Sequence, residues 1–270
     1  MRICVKVGGA LVKRGLDHLA EDLANLAAEH EFVVVHGGGP QIDELCDLTG
    51  VERKYLQSPS GFRSRHTDPP TLRVAVLALA GETNKTIVKK LAAAGLNPVG
   101  FTGVDGRTLL AKRKEKVITV TPEGRRFVVR DDYSGKVTEA DGTLCRLLLG
   151  AGFTPVVGSL ATTERGELVN VDGDRAASHL ARATDCDLLA SLTDVEGVFE
   201  DVEKRTVIPR LSRQAAERLV ESLKGGMKKK VFAALEALSL GVPRVVIGSG
   251  TTPGPLGKLL AGKAGTVVTQ

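Results

Sequence analysis

Short apolar runs alternate along this chain with segments of helical spacing. Residues 2–7 form an apolar run, and leucines then recur at three- and four-residue intervals through residues 16–29. A second, valine-rich run at 31–35 precedes another helical segment at 41–49. Strands that alternate with helices in this way build parallel sheets covered by helices on both faces. The pattern therefore predicts a three-layer α/β/α sandwich around a mainly parallel central sheet.

The same alternation extends to the end of the chain. The further predicted helices are 71–79, 83–94, 140–151, 174–183, 212–223 and 229–240, and the further predicted strands include 154–159, 187–192, 244–247 and 266–269. A soft boundary near residues 161–167 separates a predicted N-terminal lobe, 1–160, from a predicted C-terminal lobe, 161–270. Both lobes are expected to share one continuous sheet.

One segment, residues 107–137, interrupts the alternation. Short strand-like stretches at 109–111, 116–121 and 125–130 lie around the turn Pro122-Glu123-Gly124. Short β-rich runs around a glycine-containing turn are typical of a hairpin. We therefore predict a β-hairpin insertion in the N-terminal lobe.

Composition narrows the class of protein. The 270 residues are 42% hydrophobic and 26% charged, as in an ordinary globular protein long enough to bury a sizeable core. No apolar run approaches the roughly 20 residues that span a bilayer. The chain starts directly with a predicted strand rather than with a signal peptide. We therefore expect a cytoplasmic protein with no membrane segment.

Cysteine, histidine and aromatic usage exclude other classes of site. The four cysteines are scattered without a CxxC pair, and the five histidines show no metal-ligand spacing. Buried reduced thiols are expected rather than a zinc site or disulfides. Tryptophan is absent, only two tyrosines occur, and the net charge of +5 is modest. The chain thus lacks a stacking platform for nucleic acid.

Glycines cluster where predicted helices begin. The clusters are Gly8-Gly9, Gly37-Gly38-Gly39 and Gly225-Gly226, and the first two follow predicted parallel strands. Backbone N–H groups and the positive end of a helix dipole at such junctions bind phosphate or carboxylate oxygens. A tight turn can also require glycine for steric reasons alone. The sequence contains no GxxxxGK[ST] motif, which excludes a P-loop enzyme, and no GxGxxG opens the first helix.

Two lysines and one aspartate strengthen the case for an anion site. Lys6 lies inside an apolar strand just before a glycine pair, so its ammonium must either reach solvent or meet negative charge. Lys230 follows Gly225-Gly226 near the start of a helix, where a cation is disfavoured unless an anion binds. Asp174 could orient both lysines. The alternatives are a solvated lysine at 230 and a helix N-cap at 174.

Six motifs in order resemble the amino-acid kinase superfamily, in the arrangement found in N-acetylglutamate kinases. The resemblance covers nearly the whole chain and implies an ATP-dependent kinase whose fold is that of the carbamate kinases. The motifs are Lys6-Val7-Gly8-Gly9, His36-Gly37-Gly38-Gly39, Gly61-Phe62-Arg63, Asn170-Val171-Asp172-Gly173-Asp174, Thr193-Asp194-Val195-Glu196-Gly197 and Gly225-Gly226-Met227-x-x-Lys230.

Within that superfamily the chain is most similar to kinases that act on an amino-group carrier protein (LysW type). Residues 58–68, with their second arginine Arg65, resemble the corresponding segment of those enzymes, as do residues 110–114 and 130–136. His66 departs from the tyrosine more often found there. This resemblance implies phosphorylation of the side-chain carboxylate of α-aminoadipate or glutamate, attached to the C-terminal glutamate of an acidic carrier. The product would be an acyl phosphate in lysine or arginine biosynthesis.

The charge distribution agrees with an acidic partner. Residues 112–136 contain eight basic and four acidic side chains, a net charge of +4 out of the chain's +5. Complementary charge steers and orients a partner protein. A basic face can also be merely solvated.

The resemblance implies a role for each motif. Lys6 and Lys230 would neutralise the transferring phosphoryl group, with Asp174 holding both. Mg²⁺ would bridge ATP phosphates, largely water-coordinated and without dedicated protein ligands, and the enzyme would be a homodimer. The expected substrate-binding residues are Gly38, Gly39, Arg63 and Asn170; the carrier-binding residues are Arg65, Lys112, Arg113 and Lys114; the nucleotide-binding residues are Gly8, Gly9, Thr193, Asp194, Gly197 and Gly226.

Two other functions stay open at this point. One is an N-acetylglutamate kinase of arginine biosynthesis that acts on the free small molecule. The other is a non-catalytic nucleotide-binding regulator, although such a protein has no need to keep Lys6, Asp174 and Lys230. The sequence does not distinguish aminoadipate from glutamate, because one methylene changes binding by only about 1–3 kcal/mol.

Overall fold

The computed structural model describes residues 1–59, 61, 63–121, 124–201, 203, 205–223 and 225–270. The predicted turn residues Pro122 and Glu123, and Phe62 of the third motif, lie outside the described residues. The strands are β1 (Arg2–Val7), β2 (Glu31–His36), β3 (Tyr55–Gln57), β4 (Arg63–Arg65), β5 (Pro98–Thr102), β6 (Leu109–Arg113), β7 (Val117–Val120), β8 (Arg126–Val129), β9 (Ser134–Ala140), β10 (Thr154–Gly158), β11 (Leu160–Thr162), β12 (Leu168–Val171), β13 (Leu188–Thr193), β14 (Phe199–Asp201), β15 (Thr206–Val207), β16 (Arg210–Ser212), β17 (Val245–Ser249) and β18 (Thr266–Thr269).

Helices cover the strands. They are α1 (Gly9–Arg14), α2 (Asp17–Leu26), α3 (Gly39–Thr49), α4 (Pro69–Val76), α5 (Asn84–Ala93), α6 (Thr143–Gly150), α7 (Gly173–Ala183), α8 (Arg213–Ser222), α9 (Gly225–Leu240) and α10 (Pro255–Leu260). A π-helical segment, Leu77–Thr83, joins α4 to α5, and a 3-10 turn spans Asp105–Arg107. In the described part of the chain, no helix combines the length and the apolar character that a bilayer crossing requires.

The central sheet has eight strands in the order β16-β18-β17-β13-β1-β2-β10-β5. Neighbours from β17 to β5 pair in parallel, whereas β18 runs antiparallel to β17. Strand alternation sends Ile3, Val5 and Val7 into a core with α1, α2, α5 and α10, and Cys4 into a core with α6, α7 and α9. The predicted three-layer sandwich with a mainly parallel sheet is confirmed. The division into two lobes stays a prediction.

The region 107–137 is more elaborate than one hairpin. Strands β7 and β8 form the predicted antiparallel hairpin, with Ile118 opposite Val128. The segment 109–111, however, belongs to β6, which pairs with β9 and β11 in a small closed barrel of β11-β12-β9-β6. These partners lie far along the chain from β6, so local pattern could not show them.

Three predicted helix boundaries were wrong. The two helices predicted at 71–79 and 83–94 form one continuous helical unit, residues 69–93, through the π-helical segment. The helix predicted at 229–240 begins at Gly225, so the glycine pair forms its first turn. Ala140 belongs to β9, and α6 begins only at Thr143, because the strand continues to its pairing with Leu109.

Candidate active site

Strand β1 aims Lys6 at helices α7 and α9. Lys6 has the same parity as Cys4, whose side chain faces the core containing these two helices. The Lys6 side chain is buried, with only 6% of the residue exposed. A buried ammonium requires a negative partner, and the first turn of α7 supplies it.

Asp174 binds both predicted lysines. Its Oδ1 lies 2.6 Å from the Lys6 Nζ and 3.3 Å from the Lys230 Nζ, and Ser191 Oγ on β13 donates to the same oxygen at 3.4 Å. The N-cap of α7 is Asp172, which accepts from the amides of Asp174 and Arg175. The capping alternative for Asp174 was therefore wrong. The arrangement of two lysines around one carboxylate, expected from the sequence, is present.

The pKa values of the three groups move in different directions. Burial would raise the pKa of Asp174, but the two ammonium groups lower it well below its ordinary value. Burial would lower the pKa of Lys6, yet the adjacent carboxylate raises it. For Lys230, burial and repulsion by Lys6 outweigh Asp174 and lower the pKa. With both lysines protonated the triad carries one excess positive charge, which an anion would compensate.

The first two glycine clusters meet beside this triad. A Cβ added to Gly9 would lie 2.8 Å from Gln41 Oε1 on α3, and a Cβ added to Gly173 would lie 3.1 Å from the amide nitrogen of Gly37. Gln41 Nε2 also donates to the Gly9 carbonyl at 2.9 Å. The loops after β1 and β2 and the start of α7 thus meet at the carboxyl ends of these two central strands.

The glycines in these loops differ in whether their backbone N–H group is already hydrogen-bonded within the fold. The Gly8 N–H donates to the Leu192 carbonyl at 3.2 Å, so this amide is already used within the fold. Gly38 is the N-cap of α3, and Gly39 is its first residue. Amides in the first turn of a helix have no intrahelical acceptor and can donate to an anion.

His36 and Asn84 hold the second glycine loop, a role that the sequence did not reveal. Burial lowers the pKa of His36 to about 4, so its ring is neutral at pH 7. Asn84 Nδ2 lies 3.1 Å from His36 Nε2, and His36 Nδ1 lies 3.0 Å from the Gly37 carbonyl. The amide donates to Nε2, which leaves the proton on Nδ1 to donate to Gly37. Only the tertiary fold brings Asn84 to this histidine.

Arg63 and Arg65 lie on the hairpin β3–β4, which covers the start of α3. The Arg63 guanidinium is exposed and sits 4.0 Å from the centroid of the Tyr55 ring. Arg65 is largely buried and donates to Asp43 Oδ1 at 2.6 Å and to the Gly39 carbonyl at 3.0 Å. Arg65 is thus held against the predicted substrate loop, and its contact with a carrier stays a prediction.

Asn170 lies near the end of β12 in the small barrel, and the predicted nucleotide loop begins at the end of β13 in the central sheet. Asn170, on β12, donates to Thr67 Oγ1 at 3.4 Å. Thr193 ends β13 and donates to Asp194 Oδ1 at 3.1 Å. A Cβ at Gly197 would lie 2.7 Å from Val207 Cγ1, so packing alone requires glycine there.

The third glycine cluster opens α9. A Cβ added to Gly226 would have no neighbour within 4 Å among the described residues. Gly225 has a φ of +59°, a left-handed conformation that favours glycine. The nucleotide-binding role of Gly226 stays a prediction.

The predicted carrier residues differ in exposure. Lys112 and Lys114 are both exposed, and desolvation by the neighbouring protein lowers the pKa of Lys114. Arg113 is used internally: its guanidinium lies 3.5 Å from the Tyr133 ring centroid and 3.1 Å from Glu167. Sequence pattern could not separate these three neighbours, because their surroundings come from the barrel.

The remaining candidate groups are the cysteine thiols and the side chains that could bind a metal ion. All four cysteines are buried and free, which confirms that prediction, and burial raises the pKa of Cys145 to about 12. Among the residues that the structure describes, no group of three histidine, cysteine, aspartate or glutamate side chains could hold a metal ion.

Comparison with known proteins places the chain among kinases. It is 40% identical over 270 residues to a putative [LysW]-aminoadipate/[LysW]-glutamate kinase of Pyrobaculum calidifontis, which covers 99% of each chain. It is 37% identical over 269 residues to a [LysW]-aminoadipate/[LysW]-glutamate kinase of Saccharolobus islandicus, again covering 99% of each. The fold is similar to that of carbamate kinase from Giardia lamblia bound to AMP-PNP, with a TM-score of 0.69 and 17% identity over 100% of this chain and 98% of that one. The model of the amino acid kinase family matches residues 1–249, and the chain therefore belongs to the amino acid kinase family.

Proposed function

We propose that this kinase uses ATP to phosphorylate the side-chain carboxylate of α-aminoadipate or glutamate carried by an acidic amino-group carrier protein. The observation that carries the phosphotransfer is the buried triad, in which Lys6 and Lys230 share Asp174 and retain one excess positive charge. The substrate is assigned from relatives of the stated name at 37–40% identity over 99% of the chain.

The reaction needs charge neutralisation more than proton transfer. A carboxylate oxygen attacks the γ-phosphorus of ATP, a new O–P bond forms, and the bond to the β,γ-bridging oxygen breaks to release ADP. The attacking carboxylate is ionised at pH 7, so no general base is required. The barrier arises from two approaching anions, and Lys6 and Lys230 offset the negative charge on the migrating phosphoryl oxygens.

The remaining groups position the two substrates. Amides of Gly9, Gly38 and Gly39 donate to phosphate or acyl oxygens, while Gly8 allows close approach of the nucleotide. Arg63 and Asn170 bind the α-side amide or carboxylate of the acyl substrate. The nucleotide is bound by Thr193, Asp194, Gly197 and Gly226.

Magnesium fits as a companion of ATP rather than as a resident ion. Asp174 is occupied by two lysines and Asp172 caps α7, so neither carboxylate is free to anchor a metal by itself. Bound through phosphate and water oxygens, Mg²⁺ would supply further neutralisation of phosphate charge. We further propose that the enzyme is a homodimer and that it is located in the cytoplasm.

The carrier docks, in this proposal, on the hairpin β7–β8 and its base. Ile118 and Val128 face each other across the strands, and about half of each side chain is exposed, at 53% and 48%. Arg126 has the same parity on β8 as Val128 and therefore lies on the same face, and Lys116 and Arg130 directly flank the two strands. An apolar centre with a basic rim suits an acidic protein. Lys112 and Lys114 connect this face to the active site.

The test compares substrates directly. ATP and enzyme are incubated with carrier bearing aminoadipate, carrier bearing glutamate, unloaded carrier, or free N-acetylglutamate. ADP release is measured, and the acyl phosphate is trapped as a hydroxamate. We expect product with at least one loaded carrier and none with unloaded carrier. Robust turnover of N-acetylglutamate alone would overturn the carrier assignment, and ATP binding without transfer to any carboxylate would overturn the kinase activity.

A further inference from the structure

Helices α7 and α9 are joined by polar contacts outside the triad. Arg175 Nε donates to Glu236 Oε2 at 2.7 Å, and its Nη2 donates to Oε1 of the same carboxylate. Three residues closer to the start of α9, Ser178 Oγ donates to the Ala233 carbonyl at 2.9 Å. His179 Nε2 lies 3.6 Å from Glu236 Oε1. The two helices are therefore fixed in register as well as packed.

The arginine–glutamate pair has the geometry of a strong contact. Two parallel N–H···O bonds fix both position and orientation, which a single bond does not. The side chains of Arg175 and Glu236 are only 22% and 18% exposed, so solvent screens their attraction weakly. Burial would raise the pKa of Glu236, but Arg175 and His179 outweigh this and lower it to about 2. The Glu236 carboxylate is thus ionised at pH 7.

Lys230 needs such a restraint more than Lys6 does. Lys6 is fixed within a central strand, whereas Lys230 lies in the second turn of a helix that opens with Gly225-Gly226. The two ammonium groups repel each other, and Lys230 stands farther from Asp174, at 3.3 Å against 2.6 Å for Lys6. Without a further contact between α7 and α9, helix α9 could move away from α7 and increase the distance between Lys230 and Asp174.

We propose that Arg175 and Glu236 form an interhelical clamp that positions Lys230 beside Asp174. Arg175 directly follows Asp174 on α7, and Glu236 lies on the helix that carries Lys230, so the clamp sets the distance between the two catalytic groups. The side chains of Arg175 and Glu236 bind each other rather than the triad, and both are positioning residues. The proposal rests on the proposed phosphotransfer for its catalytic meaning, but the placement of Lys230 is measurable without turnover.

The first test measures the titration of Lys230 in the nucleotide-free protein. Lysine acylation by a water-soluble reagent is followed against pH by mass spectrometry of the peptide containing residue 230. The charged groups facing Lys230 are Lys6 from β1 and Asp174 from α7. In Glu236→Gln we expect the midpoint for Lys230 to rise toward that of an ordinary lysine, by about one pH unit, because the ammonium becomes hydrated. Glu217→Gln, which breaks an exposed pair with Arg213 on α8, is the matched control and should leave the midpoint unchanged.

The second test uses kinetics. In Glu236→Gln we expect kcat to fall about tenfold with the KM for ATP nearly unchanged, because a misplaced charge acts on the transition state. Arg175→Gln should show the same loss, and the double variant should be no slower than either single one. Arg175→Lys, which keeps the positive charge but cannot make two parallel hydrogen bonds to Glu236, should have a higher kcat than Arg175→Gln.

The outcomes separate the clamp from the function. An unchanged Lys230 midpoint in Glu236→Gln overturns the clamp, whether or not the enzyme has the proposed activity. Additive losses in the double variant also overturn it, because independent effects would then account for each change. A wild-type protein that fails to phosphorylate any loaded carrier overturns the proposed function alone. The labelling result still decides the clamp.

Discussion

At the scale of residues, two lysines bound to one carboxylate behave differently. Lys6 makes the shorter contact with Asp174 and has a raised pKa, whereas Lys230 is farther away and has a lowered one. The difference follows from repulsion between two buried cations that share a single counter-ion. In the proposed function, Lys230 is therefore the group that gains most when the phosphates of ATP arrive, since they compensate its charge.

Removing either ammonium group should reduce turnover. For Lys6→Ala and Lys230→Ala we expect kcat to fall about a hundredfold or more, on the order of 3 kcal/mol of transition-state stabilisation. The KM for ATP should change far less. Lys90→Ala, which breaks an exposed pair with Asp17, is the control and should retain full activity. Unchanged turnover in either catalytic variant would remove that lysine from the mechanism.

His36 should make stability depend on mildly acidic pH. Its folded pKa of about 4 lies below the ordinary 6.5, because burial disfavours the imidazolium. The unfolded chain thus binds more protons between these values. The contribution of His36 is fully present above pH 6.5 and is lost as pH falls toward 4, by about 3 kcal/mol in total. Urea unfolding at pH 4.5 and 7 should show a smaller difference in His36→Gln than in the wild type.

At the scale of elements, strands were easier to predict than their partners. The alternation around Lys6 already fixes which face of β1 it occupies, since period two is a local property of a strand. Pairing of β6 with β9 and β11 is a long-range property, and no local pattern encodes it. The same limit applies to Arg65, whose sequence neighbourhood does not reveal that its guanidinium binds Asp43 and the Gly39 carbonyl.

The hydroxyl group of Thr119 joins the hairpin β7–β8 to the hairpin β3–β4. Thr119 on β7 is buried, and its Oγ1 accepts from the Gln57 N–H and donates to the Gln57 carbonyl, each at 3.0 Å. Gln57 is the register partner of Arg63. The proposed carrier face is thus connected to the residue beside the proposed substrate-binding arginine.

Replacing this hydroxyl with a methyl group should loosen the connection. In Thr119→Val we expect amide exchange across β7 and β8 to speed up about fivefold or more, since two hydrogen bonds of roughly 1 kcal/mol each are lost. The KM for loaded carrier should rise while the KM for ATP stays constant. Thr138→Val, which removes an exposed hydroxyl bonded to the Leu110 carbonyl, is the control. Equal exchange rates in both variants would show that Thr119 does not anchor the hairpin.

At the scale of the whole molecule, the site is assembled from distant parts of the chain. Strand β1 lies at the centre of the sheet between β13 and β2, so Lys6 meets groups from the second half of the chain. Motif order allowed Lys6, Asp174 and Lys230 to be named as partners, but only through resemblance to a family. Residue pattern alone favoured a solvated lysine at 230, because α9 reaches the triad only by packing on α7.

Charge on the whole molecule is uneven, and this should govern partner binding. Within the described residues, Lys112, Lys116, Arg126 and Arg130 have no ion pair of their own, whereas the acidic Asp132 of the same region is fully buried and bonded to Ser134. The region is thus more basic at its surface than its composition indicates.

We expect the KM for loaded carrier to rise with salt between 50 and 300 mM, since the Debye length falls below about 10 Å, while the KM for ATP changes little. Lys116→Glu should raise the carrier KM about fivefold or more, as expected for one reversed charge pair of roughly 1 kcal/mol. Lys263→Glu, an exposed charge reversal elsewhere on the surface, is the control. If both reversals had the same small effect, net charge rather than this face would attract the carrier, and the docking site would have to be sought on another surface.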